Sequence, residues 1–245
     1  MRKISVINYK GGTGKTSTVV NLAHGLALRG QKVLIIDTDP QGSSGHHLGI
    51  NAKYSLYDLI LQEKSFSECI VKARQNLDMI CSNERLFPAE ISMMKMKNRE
   101  LVLSNRLENL YGYDVVLIDC PPSMNILSQN SLLYSEEVLL PVSMEYLSLI
   151  GVKQLLQNIK IINKIFKKEI SISFVIPTFF DARNRKSKFV LDSLNRVFPT
   201  HVTTPIRANV SISEAPGFKQ SVFEFDPNSN GAKDYHRLIE EVFYG

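Results

Sequence analysis

Tryptophan is absent, cysteine occurs three times, and nowhere does the chain run apolar for long. Each scarcity closes off a class of protein. Cys69, Cys81 and Cys120 lie far apart and form no CxxC pair, which argues against a disulfide framework or a zinc site and suits a reducing compartment. No segment reaches the roughly 18 consecutive apolar residues that a membrane-spanning helix needs. The opening "MRKISVIN" leaves too short an apolar core for a signal peptide before a glycine-rich turn begins, so a cytoplasmic location is expected. Repeats, low-complexity tracts and linkers are missing too. The 245 residues are therefore expected to form a single domain, 1–245, large enough for a full hydrophobic core. Acidic and basic residues nearly balance, at a net charge of +5. That modest excess is compatible with a nucleic-acid or anionic-surface partner without demanding one.

What is present is an alternation. Short runs rich in Val and Ile, at 3–8, 32–39, 77–82, 114–119, 137–142, 170–177 and 201–206, recur between stretches of helical periodicity. Most are nearly continuous apolar runs, as expected of strands buried on both faces. Val19, Leu22, Ala23 and Leu26 make one helical stripe, with Gly30 a stop after it. Leu155, Ile159, Ile162 and Ile165 make another, and a last helix from near Gly231 presents Tyr235, Leu238, Ile239 and Val242. The fold class that follows is α/β: a doubly wound, mainly parallel sheet of about seven strands with helices on both faces. Residues 83–112 read as mostly helical, with the Met-rich "ISMMKMKNRE" as core or interface filler.

The first run leads into "KGGTGKTS" and then a helix, the layout of a phosphate-binding loop. Backbone N–H groups of the turn and the positive end of the helix dipole receive phosphate oxygens. Gly11, Gly12 and Gly14 let the backbone approach closely, with Thr13 and Ser17 completing the cradle. Lys15 supplies a point charge to the β- and γ-phosphates, and the Thr16 hydroxyl is placed to ligate Mg2+. Tyr9 stands where the general pattern has its first glycine. Lys10 is surplus to a phosphate loop, and on its own it reads as a solvated lysine. Asp37 and Asp39 sit at the carboxyl end of a strand, where open α/β sheets gather their ligands, and alternation points both toward the phosphate crevice. Asp119 follows "VVLI" in the same way. Aspartates so placed also serve as plain caps or turn residues.

"KGGTGKT", with its lysine ahead of the glycines, is a deviant Walker A pattern. With "DTDPQGS" (37–43), "YDVVLIDCPPS" (113–123) and "SISEAPGFKQSVFEFDPNSNGAKDY" near the end, the sequence resembles the ParA family of chromosome- and plasmid-partition ATPases. That family lies in the wider class that includes MinD and the nitrogenase iron protein. The resemblance runs nearly end to end. It implies a slow Mg2+-dependent hydrolysis of ATP to ADP by a homodimer that sandwiches its nucleotides. Lys10 would then reach the partner's phosphates in trans, as an arginine finger does. Asp39 matches the residue that orients the attacking water, Asp37 one that supports the Mg2+ shell, and Asp119 the Walker B aspartate. The base would lie near Pro177–Phe179 and Pro205–Asn209, making Pro205, Arg207 and Asn209 candidate contacts. The partners implied are non-specific DNA and a ParB-type adaptor that stimulates hydrolysis, with the protein gathered on the nucleoid.

Two basic clusters are candidates for the DNA surface. Lys153, Lys160, Lys164, Lys167 and Lys168 lie on a helix, and Arg183, Arg185, Lys186 and Lys188 stand in "DARNRKSK". Such runs are ordinarily solvated faces. Arg183 nevertheless matches a family residue that contacts DNA, whereas Ser211 replaces an arginine found in many relatives, which weakens the site or shifts it onto Arg185, Lys186 and the lysine helix. The competing readings are a MinD-like membrane cycler and an ATPase that positions another cargo. The ending "RLIEEVFYG" lacks the basic tail that the first requires, so no stable membrane association is expected. An iron-protein role fails because no cysteine follows Cys120. His46 and His47 are adjacent and point apart on a helix, so a surface or interface role is expected rather than a metal site.

Overall fold

The computed structural model describes residues 1–62 and 64–245. Its strands are β1 (Arg2–Val6), β2 (Val33–Asp37), β3 (Ile70–Arg74), β4 (Leu77–Ile80), β5 (Val115–Asp119), β6 (Glu137–Ser143) and β7 (Ser171–Thr178). The helices are α1 (Lys15–Leu28), α2 (Ser43–Leu48), α3 (Leu56–Leu61), α4 (Phe66–Cys69), α5 (Leu86–Met93), α6 (Val102–Arg106) and α7 (Ile126–Tyr134). They continue with α8 (Ser148–Phe166), α9 (Arg185–Val197), α10 (Val210–Glu214), α11 (Val222–Phe225) and α12 (Asn230–Phe243).

The strands form one sheet in the order β3-β4-β2-β5-β1-β6-β7, parallel except for β3. Strand alternation divides the core into two layers. On β2, Leu34 and Ile36 face one layer while Val33 and Ile35 face the other, and β5 splits Val116 and Ile118 from Val115 and Leu117 in step. One layer is closed by α3, α5, α6, α7, α8 and α9, the other by α1, α11 and α12. In α1 the expected stripe is buried, and so are Val20 and Ala27 beside it, because α12 packs there as well. Gly25 makes that approach possible: a Cβ at this position would run into Ile239 and Phe223. The chain beyond α1 turns at Gly30 with φ 86°.

Two elements differ from expectation. The run 201–206 forms no ladder strand. It follows β7 through a single bridge, Val175 to Val202, and a few backbone bonds, with Pro205 unable to donate. The seventh strand is instead β3, an antiparallel partner of β4 across a turn in which Asn76 adopts a left-handed conformation, φ 58°. Within 83–112, only α5, a short 3-10 turn (Arg99–Leu101) and α6 are helical. Ile165, counted in the apolar stripe of α8, is 65% exposed, so the buried stripe there is Leu155, Ile159 and Ile162. Among the described residues, no helix is long and apolar enough to cross a membrane. The loops after β1, β2 and β5 leave at one end of the sheet, and the candidate residues gather there.

Candidate active site

The loop after β1 is held from beneath. Asn8 is fully buried; its Nδ2 donates to the Pro141 carbonyl and its Oδ1 accepts the Lys10 N–H at 3.0 Å. On the far side the Thr178 hydroxyl donates to the Thr13 carbonyl at 2.9 Å. Gly12 and Gly14 carry φ of 69° and 82°, a region that costs side-chain-bearing residues energy. Gly14 starts α1 without a side-chain cap, so the first N–H groups of that helix are open to an anion. Lys15 is buried, and its Nζ donates to the Lys10 carbonyl at 3.3 Å. Burial lowers its pKa, while Asp119 pulls the other way. An ammonium resting on one neutral carbonyl is short of partners, and a phosphate would supply them.

Asp37 and Asp119 end paired strands at matching positions. Both are essentially without solvent contact. Asp37 accepts the N–H groups of Asp39 and Ser44, each at 3.0 Å, and so ties the loop after β2 to its strand. It does not line the cleft. Asp119 Oδ2 accepts the hydroxyls of Thr16 (2.8 Å) and Ser44 (2.7 Å), whereas its Oδ1 is buried without a partner. Burial pushes both carboxyls up, Asp119 to about 6 and Asp37 well above the ordinary range. An orphaned carboxylate oxygen beside a threonine hydroxyl and a second carboxylate is an oxygen-rich donor set of the kind Mg2+ takes. The residues present therefore fit that ion, with Thr16 and Asp119 nearest and Asp37 behind them.

Asp39 is half-buried on the cleft wall, its Oδ1 accepting the Gln41 N–H at 3.0 Å. The cleft, about 510 Å³, is lined by residues 11–17, Asp39, Ser43, His46, His47 and Pro122, among others. Beyond Phe179 it meets a more apolar hollow of about 230 Å³ lined by Ile206, Ile212 and Tyr235, with Arg207 and Asn209 on its wall. Pro205 is not among its lining residues. The Arg207 guanidinium is bound to Asp234 at 2.6 Å, and Asn209 Oδ1 caps α10. Lys10 lies outside the cleft. Its side chain lines a neighbouring hollow with Ser143 and Glu145, and its Nζ donates to Ser148 Oγ at 3.2 Å.

The histidines part company. His46 is exposed, as expected, but His47 is buried against the backbone near Gln220, with its pKa pushed down to about 4 by burial. It is therefore a neutral wall residue, and among the described residues no group of three or more His, Cys, Asp or Glu is placed to hold a metal ion by itself. Among the basic residues, Lys153, Lys160 and Lys164 are exposed along α8, and Arg185 and Lys188 are exposed on α9. Arg183 is 92% exposed at its side chain and pairs with Asp181 in its own turn. Lys186 pairs with Glu145 (2.6 Å), and Tyr146 stacks edge-on against Phe189, which joins the start of α9 to the approach to α8. Ser211 donates to Asp226.

Asn8, Ser44 and Ser148 carry no sequence signal of their own. Ser44 stands inside "DPQGSS", yet its partner Asp119 is 75 positions away.

Residues 1–172 match the AAA domain family. The chain is 37% identical to the sporulation initiation inhibitor protein Soj of Bacillus subtilis, over 98% of this chain and 97% of that one. It is 34% identical to the chromosome partitioning protein ParA of Caulobacter vibrioides, over 99% and 94%. Its fold is similar to that of cobyrinic acid a,c-diamide synthase from Mycobacterium smegmatis, solved with an ATP analogue and magnesium (TM-score 0.84, 28% identity, 98% and 93% covered). By sequence and architecture together, the chain belongs to the ParA/Soj family of chromosome-partitioning ATPases.

Proposed function

We propose that the chain works as one unit in the cytoplasm, an ATP-driven switch that dimerises around two nucleotides, binds DNA without sequence preference and partitions DNA. A ParB-type adaptor stimulates its hydrolysis and so releases it from the nucleoid. One observation carries the reading: Lys15, Thr16 and Asp39 line one cleft, with Asp119 buried behind it and bound to the Thr16 hydroxyl, while Lys10, from the same loop, lines a neighbouring hollow instead. A cation that does not face its own phosphates is useful to someone else's. Large apolar side chains around it support a facing subunit, with Leu147 68% and Ile150 55% exposed.

When bound, Mg2+ would neutralise charge on the β- and γ-phosphates, held by Thr16 and Asp119 with Asp37 bracing the loop. The residues do the rest by position. N–H groups of Gly12–Thr16 cradle the phosphates, and Lys15 exchanges its carbonyl for a phosphate oxygen. Asp39 has a carboxylate oxygen free to accept a proton of the attacking water and aim its lone pair at the γ-phosphorus. The partner's copy of Lys10 meets charge on the transferring group. With a single carboxylate and no fixed general-base relay, turnover is slow, which suits a timer. The apolar hollow takes the base, with Arg207 immobilised as part of its wall. Exposed cations of α8 and α9 contact duplex phosphates, so affinity falls steeply with salt, and a dimer doubles the patch.

Asp39→Ala should lower single-turnover hydrolysis by about a hundredfold or more while ATP still binds, leaving a long-lived dimer. Lys10→Ala should bind ATP normally yet elute as a monomer on size exclusion with ATP. An Asp39 variant that hydrolyses at the parent rate, or ATP-loaded protein that fails to shift duplex DNA at low salt, contradicts the reading.

A further inference from the structure

Lys10 is not loose in solvent. Its ammonium can only donate, so Ser148 Oγ accepts its bond at 3.2 Å, and a second hydrogen bond joins Ser148 Oγ to Ser143 Oγ, 2.9 Å away. Both serines are buried, Ser148 completely. Ser143 ends β6 and Ser148 opens α8, so the acceptor is rooted in two elements. The backbone is fixed as well. Lys10 N–H is bound to Asn8 Oδ1, and α8 presses on that atom through Gly151, where an added Cβ would stand 3.1 Å away.

We infer that the Ser148–Ser143 pair is a parking site that holds Lys10 in the free subunit and thereby sets how readily ATP assembles the dimer. The inference rests on the reading of Lys10 as a residue acting in trans. The chemistry makes the site reversible. When the lysine leaves, the two hydroxyls still satisfy one another, so no buried polar group is orphaned. A neutral hydroxyl holds an ammonium less strongly than a triphosphate does, so the lysine stays parked until a second loaded subunit arrives. Because only the unparked fraction is competent, the apparent dimer affinity is reduced by that fraction. Ser148 is thus a positioning residue.

The test compares Ser148→Ala, Ser148→Cys and Lys10→Ala with the parent, each first checked for an unchanged melting profile and unchanged monomer affinity for a non-hydrolysable ATP analogue. Ser148→Ala should tighten analogue-dependent self-association about fivefold by sedimentation, with Ser148→Cys in between. In the Lys10→Ala background the serine change should do nothing. In nucleotide-free protein labelled with 13C at lysine Cε, the one resonance missing from Lys10→Ala should move in Ser148→Ala, a signature that a merely structural serine would not give. An unmoved resonance, or an unmoved association midpoint while Lys10→Ala abolishes the dimer, overturns the parking site alone. Analogue-dependent dimers of Lys10→Ala overturn the reading in trans, and the gating with it.

Discussion

At the ends of β2 and β5, two buried carboxylates, a buried serine and a half-buried threonine share a handful of fixed hydrogen bonds. Along α8 and α9, cations stand in solvent, and the pairs that do form, Arg183 with Asp181 and Lys186 with Glu145, are exposed on at least one side. The first region has a single arrangement in which every member is needed by another. The second has many near-equivalent arrangements. Chemistry on a γ-phosphate demands the former, since a small misplacement is costly. A polyanion of any sequence is served by the latter.

Three perturbations press on this contrast. The largest effect should come from Lys15→Ala, which takes the lysine out of the cleft and should weaken ATP binding by about a hundredfold or more in calorimetry. Asp119→Asn comes next, and its effect has two signs. Burial above all holds the Asp119 carboxyl at about 6, with the hydroxyls of Ser44 and Thr16 opposing. A raised carboxyl favours the fold below the ordinary carboxylate range, and that contribution is lost as pH climbs through about 6. The asparagine should therefore raise the melting temperature of nucleotide-free protein at pH 8 by about 2–4 °C. It should flatten the decline between about pH 4 and 6, and it should cancel any stabilisation by Mg2+ with nucleotide. A lower melting temperature would mean that Asp119 serves the fold before it serves the ligand. The smallest effects belong to the basic surface. Lys160→Ala or Lys164→Ala alone should weaken duplex binding only a few-fold, lowering the slope against log salt by about one unit for each phosphate no longer neutralised. If either abolished binding outright, the helix would be reading DNA through a specific interaction rather than a diffuse charge.

The same contrast governs what is legible in the chain. The glycine turn and Lys15 are legible because their roles are local: a left-handed backbone and a helix start are encoded within a few residues. Seven strands are legible in number, but one lies elsewhere than its composition suggests. "HVTTPI" has strand composition, yet Pro205 breaks the donor pattern, whereas "IVKAR" is short and half polar and is recruited by the Asn76 turn. Alternation points Asp37 toward the crevice, but it is buried behind the cleft, with its oxygens spent on backbone N–H groups. Ser44, Asn8 and Ser148 are invisible, because a serine or asparagine acquires its role only when a distant partner arrives.

The two rims of the sheet bear on how copies of this chain can meet. The β3 rim is short, antiparallel and irregular between Lys72 and Arg74; the β7 rim is overlaid by the stretch from Val202 to Arg207, Pro205 in its middle. Both margins are thus guarded against an incoming backbone. If copies of this chain pair as proposed, they would have to recognise one another through side chains and the nucleotides they enclose, a union that lasts only until its fuel is spent.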